Sequence, residues 1–495
     1  MSSNFDSTEF IQEENSRPTQ RGKSCLFVGL LLILITSLLA SSVYSIIWFF
    51  DREQTANETP MPTLTPEAMA AANDSNEQSI PTPKSQGATA VVPAPSMHNR
   101  IVLINSENQI ETVAPDGSDR QTLTSKDDII FQFPAWAPDG SQIAAIGGKS
   151  NGAGVFTLSD INNVDDTANL QELYFSGPQN PFYLYWSPDS RQISFLANKP
   201  SEGLGLNLLD AADTTSNRVI ATGSPVYWNW TQNSTEMLLH AGGQNDARLV
   251  LIDREGRDMA PEIPSPGLFQ TPGISRNGRY WAFSQFKKGN TSWLVIQDKQ
   301  TGEHHEERHA GSLALSWSPA ADKLAYISGN ANDNSIAWGA LRLYDTETAE
   351  TTLLSSDLVL AFFWSPDGEK IAILTAPFSQ GFENEQQVNG GIKNVRTTKT
   401  IPVQRNPHQF KLSVININTG EGVQIAEIIP SITFMTQFIP FFDQYALSHR
   451  LWSPNSDKLV LPIIEDQENK IVVFPASGGK RTEIGSGDSA FWSQN

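Results

Sequence analysis

Short apolar runs separated by polar turns recur from about residue 100 to the end of the chain. The runs are four or five residues long and rich in β-branched and aromatic residues, which is typical of strands. Examples are Ile143–Ile146, Leu249–Asp253, Leu324–Ile327 and Ile371–Leu374. This pattern predicts an all-β domain over residues 99–495.

The runs are grouped in units that begin with a large apolar residue, which we call the anchor. The anchors are Trp136, Trp186, Trp230, Ile274, Trp317, Trp364, Trp452 and Trp492, at successive gaps of 50, 44, 44, 43, 47, 88 and 40 residues. In the consensus form of the unit, Trp-Ser-Pro-Asp-Gly, proline presets φ for a tight turn and the last two residues tolerate its closing conformation. A period of roughly 40–45 residues matches one four-stranded blade of a β-propeller.

The gap of 88 residues leaves two blade counts open. We favour eight blades, with insertions at about 376–409 and 431–448, and keep seven as the alternative. Near residue 100 the runs look like second, third and fourth strands without a first, and Ser489–Trp492 looks like a first strand alone. Pairing these segments would close the ring and leave no open edge.

The Trp-Ser-Pro-Asp-Gly units, such as Trp364–Gly368, resemble those of the TolB-type propeller repeat. They are also similar to the propellers of prolyl oligopeptidase and dipeptidyl peptidase relatives. The resemblance covers about residues 100–495, and two units depart from it, at Ile274 and at Ala320–Ala321. It implies a fold and not an activity, because propellers carry many unrelated functions.

The first hundred residues have a different composition. Residues 25–50 form an uncharged apolar stretch of 26 residues, longer than the roughly 20 that cross a bilayer. Residues 1–24 carry Arg17, Arg21 and Lys23, which predicts a cytoplasmic tail and a single-pass cell-membrane anchor with the propeller outside the cytoplasm. A cleaved signal peptide is the competing interpretation. Residues 51–98, rich in Pro, Thr and Ala, predict a disordered linker.

The charge excludes one class of partner. Residues 99–495 hold 29 Lys and Arg against 44 Asp and Glu, and the whole chain has a net charge of −20. Such a surface repels nucleic acid, so we expect no nucleic-acid binding. The single cysteine, Cys25, lies at the predicted membrane edge and excludes a disulfide within the chain. We expect no cofactor.

Three motifs resemble chemical sites, and we interpret all three as fortuitous. His305–His309 spells a zinc-peptidase signature, but its two histidines need a helix and this segment reads as a fourth strand. Gly148–Gly152 has the spacing of a serine-hydrolase elbow but is followed by no helix. Asn330–Asn334 resembles the start of a calcium loop with only one carboxylate. We therefore predict no catalytic and no metal site.

The two insertions hold the residues that we expect to contact a partner. The first carries Lys393, Arg396, Lys399 and Arg405 on an otherwise acidic domain, which suits an acidic partner, although a solvated loop is the alternative. The second carries Phe434, Phe438, Phe441 and Phe442, which could anchor an interface or pack against a blade.

These features favour a membrane-anchored, extracytoplasmic and non-catalytic module that binds an unknown protein or envelope component. The alternatives are an enzyme, a lyase or hydrolase that uses the central channel, and a small-ligand sensor. An enzyme would need several acids and a histidine at one end of the channel, and the sequence offers only Asp189, Asp367 and His449 near the inner strands.

Overall fold

The computed structural model describes residues 99–125, 128–159, 170–243, 246–289, 291–329, 337–376 and 409–494. The predicted tail, membrane segment and linker lie outside these ranges, as do residues 377–408 of the first insertion and the Asn330–Asn334 motif.

The described residues form antiparallel sheets in which strands that follow each other in sequence are paired. The first strands are β1 (Ile101–Asn105), β2 (Ile110–Val113), β3 (Gln121–Thr122), β4 (Ile130–Trp136), β5 (Gln142–Lys149), β6 (Gly152–Ser159) and β7 (Leu170–Ser176). The next are β8 (Pro181–Trp186), β9 (Gln192–Lys199), β10 (Gly203–Asp210), β11 (Asp213–Gly223), β12 (Val226–Trp230), β13 (Glu236–Ala241) and β14 (Arg248–Asp253).

The second half of the chain continues this order. Its strands are β15 (Gly273–Ile274), β16 (Tyr280–Lys287), β17 (Thr291–Asp298), β18 (His304–His309), β19 (Leu313–Trp317), β20 (Lys323–Ser328), β21 (Gly339–Asp345) and β22 (Glu350–Trp364). The last are β23 (Lys370–Thr375), β24 (Phe410–Asn416), β25 (Gly422–Ile428), β26 (Lys458–Glu465), β27 (Glu468–Pro475) and β28 (Thr482–Trp492). A π-helix (Phe434–Phe438), a 3₁₀-helix (Ile439–Phe441) and a helix α1 (Phe442–Ser448) precede β26.

Each repeat begins with an inner strand that ends at its anchor, as the sequence predicts. β4, β8, β12, β15 and β19 end at Trp136, Trp186, Trp230, Ile274 and Trp317. Successive inner strands contact each other in the pairs β4 and β8, β12 and β15, and β15 and β19, and the end of β28 contacts β4. The described residues therefore form a β-propeller whose ring is closed.

Ring closure is confirmed strand by strand. The second half of β28 pairs with β1, with Ile101 opposite Trp492, and β2 and β3 follow outward. The first half of β28 pairs with β27, so one long strand is the outer strand of one unit and the inner strand of the next. β22 does the same between β21 and β23.

The two ends of the ring differ. All inner strands run toward their anchor turns, and we call that end the turn face. The opposite end, where inner strands begin, we call the insertion face. The first insertion joins β23 to β24 at the insertion face, because Thr375 pairs with Lys411 at its base. The described chain starts at the turn face, where Arg100 and Ser493 exchange hydrogen bonds.

The anchor turns follow the sequence closely. The residue four after the anchor has positive φ in six units, at Gly140, Ser190, Ser234, Gly278, Gly368 and Ser456. The unit of Ile274 keeps this turn, since Gly278 donates its N–H to the carbonyl of Ser275. Ala321 instead donates its backbone N–H to the hydroxyl of Ser318, 3.3 Å away.

One unit does not have the four regular strands that we expected. Outside β14 the chain makes only isolated bridges, from Asp258 to Ile252 and from Ile263 to Leu249. Pro261, Pro264 and Pro266 lie in or next to this segment and have no N–H for a strand ladder. A regular fourth strand cannot form there.

Two inner strands are interrupted, and both interruptions face each other. Residues 265–267 pair with β16, residues 268–272 leave it, and β15 resumes the pairing. In the unit of β26, Pro430 pairs with Ile463 and Trp452 pairs with Leu459, so the helical segment 431–448 is inserted into the middle of an inner strand. We call residues 431–448 the plug.

Candidate functional site

The plug places most of its aromatic side chains inside the ring. Phe434, Phe438 and Phe442 are 3%, 1% and 3% exposed, whereas Phe441 is 39% exposed. Of the two alternatives for these residues, packing within the propeller therefore applies to Phe434, Phe438 and Phe442, whose burial rules them out as surface contacts in this structure. Their rings are buried in the protein core, and only Phe441 remains available at the surface.

The plug fills the centre of the ring, because it touches inner strands on opposite sides. Tyr445 packs against Phe133 of β4 and Tyr183 of β8, with ring centroids 5.5 and 4.9 Å apart. Phe442 packs on Phe362 of β22, and Phe438 packs on Phe491 of β28. The aromatic content of this segment thus serves the core of the propeller.

Polar groups orient the plug within this apolar centre. The Gln444 amide accepts the backbone N–H of Trp228 at 3.0 Å and donates to the carbonyl of Trp228 at 3.0 Å. The Tyr183 hydroxyl donates to the Gln444 carbonyl at 2.9 Å and contacts the Ser448 hydroxyl at 2.9 Å. Buried polar atoms with partners fix one orientation of a segment more sharply than apolar packing alone.

Hydrogen bonds join the plug to the other interrupted inner strand, and we call this contact, between residues 270–271 and residues 440–444, the seam. The backbone N–H of Thr271 donates to the Asp443 carboxyl at 3.2 Å, and the Gln270 amide donates to the Pro440 carbonyl at 3.1 Å. Asp443 is 2% exposed, and this burial raises its pKa to about 7 against the lowering effect of the Thr271 N–H.

His449 is buried at the other end of the plug. Its Nδ1 lies 2.6 Å from the Ser448 hydroxyl and its Nε2 lies 3.4 Å from the Phe133 carbonyl. Burial lowers the pKa of His449 to about 4, so the ring is neutral at physiological pH.

Asp443 and His449 have the perturbed pKa values that are common at active sites, but each is held by protein groups of its own. The recess between the plug and the inner strands, beside Gln270, Ala314 and Leu360, has a volume of about 10 Å³. That volume is near the minimum for one water molecule. This recess therefore has no room for a substrate larger than a water molecule.

The three candidate acids and bases of the sequence do not meet. The Asp189 and Asp367 carboxyls accept hydrogen bonds from Ser187 and Ser365 in their anchor turns. Those turns lie at the turn face, whereas His449 is buried against the plug. Among the described residues, no group of three or more His, Cys, Asp or Glu is placed to hold a metal ion.

The two of these three motifs that the structure describes have the predicted local structure. His305 and His309 lie on β18, where four residues of strand separate their Cα atoms by about 13 Å. Within the Gly148–Gly152 motif, Lys149 ends β5 and Gly152 begins β6, so the motif is a hairpin that continues into a strand.

The basic candidates Lys393, Arg396, Lys399 and Arg405 lie outside the described residues. The described ends of their insertion, Ala376 and Gln409, lie at the insertion face. Phe410 pairs with Ile428, and the plug begins three residues after Ile428. Both insertions therefore start from neighbouring strands at the same end of the ring.

Two residues of the seam were not identified from the sequence. Thr271 occupies a position between two prolines that the repeat does not mark, and Asp443 is one acid among many in an acidic chain. The one available signal was the pair Asp443-Gln444 in the middle of an aromatic segment. An acid in such a segment must be paired, protonated or exposed.

The predicted membrane segment at residues 25–50 lies outside the described ranges. Within those ranges, no helix has the length and apolar character needed to cross a bilayer.

No protein-family profile matches the chain, and no curated protein matches it. Similar solved structures include the dihydro-heme d1 dehydrogenase NirN, at 14% identity and TM-score 0.48, covering 83% of this chain and 78% of that one. TolB from Acinetobacter baumannii has 14% identity and TM-score 0.33, covering 70% and 81%. The β-propeller domain of the trilobed protease from Pyrococcus furiosus has 11% identity and TM-score 0.42, covering 73% and 99%. Similarity at this level indicates no activity, partner or cofactor.

Proposed function

We propose that the protein is a membrane-anchored, extracytoplasmic β-propeller of eight blades that binds a protein or envelope component at its insertion face and catalyses no reaction. Eight inner segments follow one another around the ring in this proposal, the seventh being the strand that the plug interrupts. Residues 25–50 supply the anchor and residues 51–98 the linker.

The observation that carries the proposal is that the described start of the propeller and the described ends of the two insertions lie at opposite ends of the ring. Arg100 and Ser493 hold the start of the propeller at the turn face, whereas both insertions start from the insertion face. The plug, which starts from that face, has exposed apolar side chains at Phe441, 39% exposed, and Ile432, 64% exposed.

The filled centre supports a binding function over a reaction in the channel. Aromatic side chains of the plug occupy the centre, and its polar groups bond to inner strands. Exposed aromatic side chains at a rim are typical anchors of protein interfaces. The basic residues Lys393, Arg396, Lys399 and Arg405 would add attraction for an acidic partner.

The test is crosslinking in cells with the full-length protein, followed by mass spectrometry of what copurifies. Two variants change the proposed face: deletion of residues 383–407, and Phe441→Ser. The control is Met259→Ser, because Met259 is 51% exposed but lies at the outer edge of the ring beside β14.

We expect a specific partner that is lost with either insertion-face variant and kept with Met259→Ser. A partner kept by both insertion-face variants would place the binding site elsewhere. No partner for a folded protein would contradict the binding function and favour a small ligand.

A further inference from the structure

The plug covers only part of the channel at the insertion face. In the units of β15 and β22, the residue four positions before the anchor lines the recess beside the plug, as Gln270 and Leu360 do next to Pro440. The repeat places Gln132 of β4 and Phe182 of β8 at the corresponding position of their strands. Both side chains are exposed, Phe182 by 39%. The plug therefore does not cover the side of the channel formed by β4 and β8.

Three exposed apolar side chains lie in this part of the insertion face. We call it the open sector, and it comprises the inner strands β28, β4 and β8 with the hairpins β26–β27, β1–β2, β5–β6 and β9–β10. Its exposed apolar side chains are Ile130 (45%), Phe182 (39%) and Ile432 (64%). Ile432 belongs here because the hydroxyl of Ser431 donates to the Asp488 carbonyl of β28 at 3.0 Å. Since β4 contacts both β28 and β8, the three side chains come from neighbouring parts of the ring. Grouped exposed apolar side chains mark interaction surfaces.

The plug adds no charge to this surface. Among residues 431–448 only Asp443 is charged, and it is 2% exposed. The side chains that the plug leaves partly exposed, such as Met435, Ala446 and Leu447, are uncharged. A partner that covers the plug therefore removes no charged group from water there, which keeps the cost of desolvation low.

The charges around the open sector are unbalanced toward acid. Its described lysines are each in an ion pair with a carboxylate, namely Lys149, Lys199 and Lys470. Three exposed carboxylates of the sector form no ion pair with another described residue, namely Glu107, Asp128 and Glu468. A lysine that already has a partner compensates no further acid, so the rim of the open sector attracts cations.

We propose that the open sector binds a protein segment in which apolar side chains are flanked by lysine or arginine. The apolar side chains pack on Ile130, Phe182 and Ile432, and the cations meet the unpaired carboxylates of the rim. This inference rests on the proposed binding at the insertion face, and it specifies the part of that face and the chemistry of the partner. The charge differs from the one expected at the first insertion, whose base at Thr375 and Lys411 lies outside the open sector.

The test is photo-crosslinking in cells with the full-length protein, from a photoreactive phenylalanine analogue placed at position 182 or at position 441. Phe182 and Phe441 are both 39% exposed, so the two positions are matched in accessibility. We expect adducts to the same partner from both positions. Mass spectrometry of the adduct at position 182 should identify a partner peptide with apolar residues next to lysine or arginine. Position 259, at the outer edge, serves as the comparison and should give no such adduct.

A change of charge tests the acidic rim. We expect Asp128→Lys to lower the yield of the adduct at position 182 roughly fivefold, because an attraction becomes a repulsion. Glu369→Lys is the matched control, since it changes the net charge equally at an exposed residue of the turn face. Its yield should equal that of the wild type.

Adducts from position 441 without adducts from position 182 would overturn this inference and leave the proposed function standing. A crosslinked partner segment that is acidic, or equal yields for Asp128→Lys and Glu369→Lys, would also overturn the inference alone. The absence of adducts from both positions would contradict the proposed function itself, and this inference with it.

Discussion

The indole N–H of Trp452 donates a hydrogen bond to the backbone carbonyl of Phe363, 2.9 Å away in the neighbouring unit. Phe363 immediately precedes the anchor Trp364. Trp186 makes the same bond to Ala135, and Trp364 makes it to Ser316, each at 3.0 Å. The anchor therefore links its inner strand to the one before it, in addition to burying its ring.

This bond predicts a difference between two otherwise similar substitutions. Trp452→Phe removes an indole that bonds to the preceding inner strand, whereas Trp136→Phe removes one that has no acceptor among the described residues. Both lose similar apolar area, so their difference isolates the hydrogen bond. We expect Trp452→Phe to be less stable by about 1 kcal/mol, since that is the typical net value of one hydrogen bond. Urea unfolding of the two variants measures it, and equal unfolding midpoints would contradict it.

The serines with positive φ in the anchor turns make a second link between units. Ser190 has φ of 61° and its hydroxyl accepts the backbone N–H of Asp139 at 3.0 Å. Ser190→Ala loses this bond and keeps the strained backbone, so we expect a loss of about 1 kcal/mol. Ser190→Gly loses the same bond but relieves about 1 kcal/mol of backbone strain. Thermal unfolding should show Ser190→Gly near the wild type, and equal losses in both variants would be the contrary result.

The phenylalanines of the plug differ in burial, so we expect their substitution to differ in its effect on stability. Phe442→Ala opens a cavity beside Phe362 and should cost about 3–5 kcal/mol. Phe441→Ala changes a ring that is 39% exposed and should cost less than about 1 kcal/mol. Denaturant unfolding measures both. A large loss for Phe441→Ala would show that its ring is part of the core and unavailable to a partner.

His449 predicts a dependence of stability on pH. The folded state holds its pKa near 4 against an ordinary value of 6.5, so below pH 6.5 the unfolded chain binds a proton that the folded chain excludes. Its contribution is complete above pH 6.5 and is lost as the pH falls to about 4, by about 3 kcal/mol in total. Asp443 titrates over an overlapping range with the opposite sign. The measurement is therefore the difference between wild type and His449→Gln at each pH.

His304→Gln is the control for this difference, because His304 is exposed on β18. We expect the stability of wild type to fall relative to His449→Gln between pH 6.5 and 4, and not relative to His304→Gln. A constant difference between wild type and His449→Gln would contradict the burial of a neutral ring.

The sequence repeat was sufficient to predict most of the fold. Trp-Ser-Pro-Asp-Gly units fix the end of each inner strand, and the unpaired segments near Ile101 and Trp492 predicted how the ring closes. The sequence did not predict that β22 and β28 are each one continuous strand. In both, the outer strand of one unit continues into the inner strand of the next without a turn residue between them. The irregular edge beside β14 could have been predicted from its prolines, because they have no N–H for a strand ladder.

The site was much less visible than the fold. Aromatic residues in an insertion are equally consistent with a partner interface and with a core, and their composition does not tell which one they form. The pairing of Pro430 and Trp452 with β26 decides between these two alternatives, because it places the plug within an inner strand, next to the centre of the ring. The role of Asp443 depends on Thr271, which lies 172 residues away in the chain.

The central claim is that a partner binds at the insertion face. The most direct measurement is photo-crosslinking in cells from an unnatural amino acid placed at Phe441 or at Ile432, and at Glu369 of the turn face as the comparison. We predict crosslinked adducts to the same partner from positions 441 and 432 and none from position 369. Adducts from position 369 alone would place the binding site at the turn face and contradict the account.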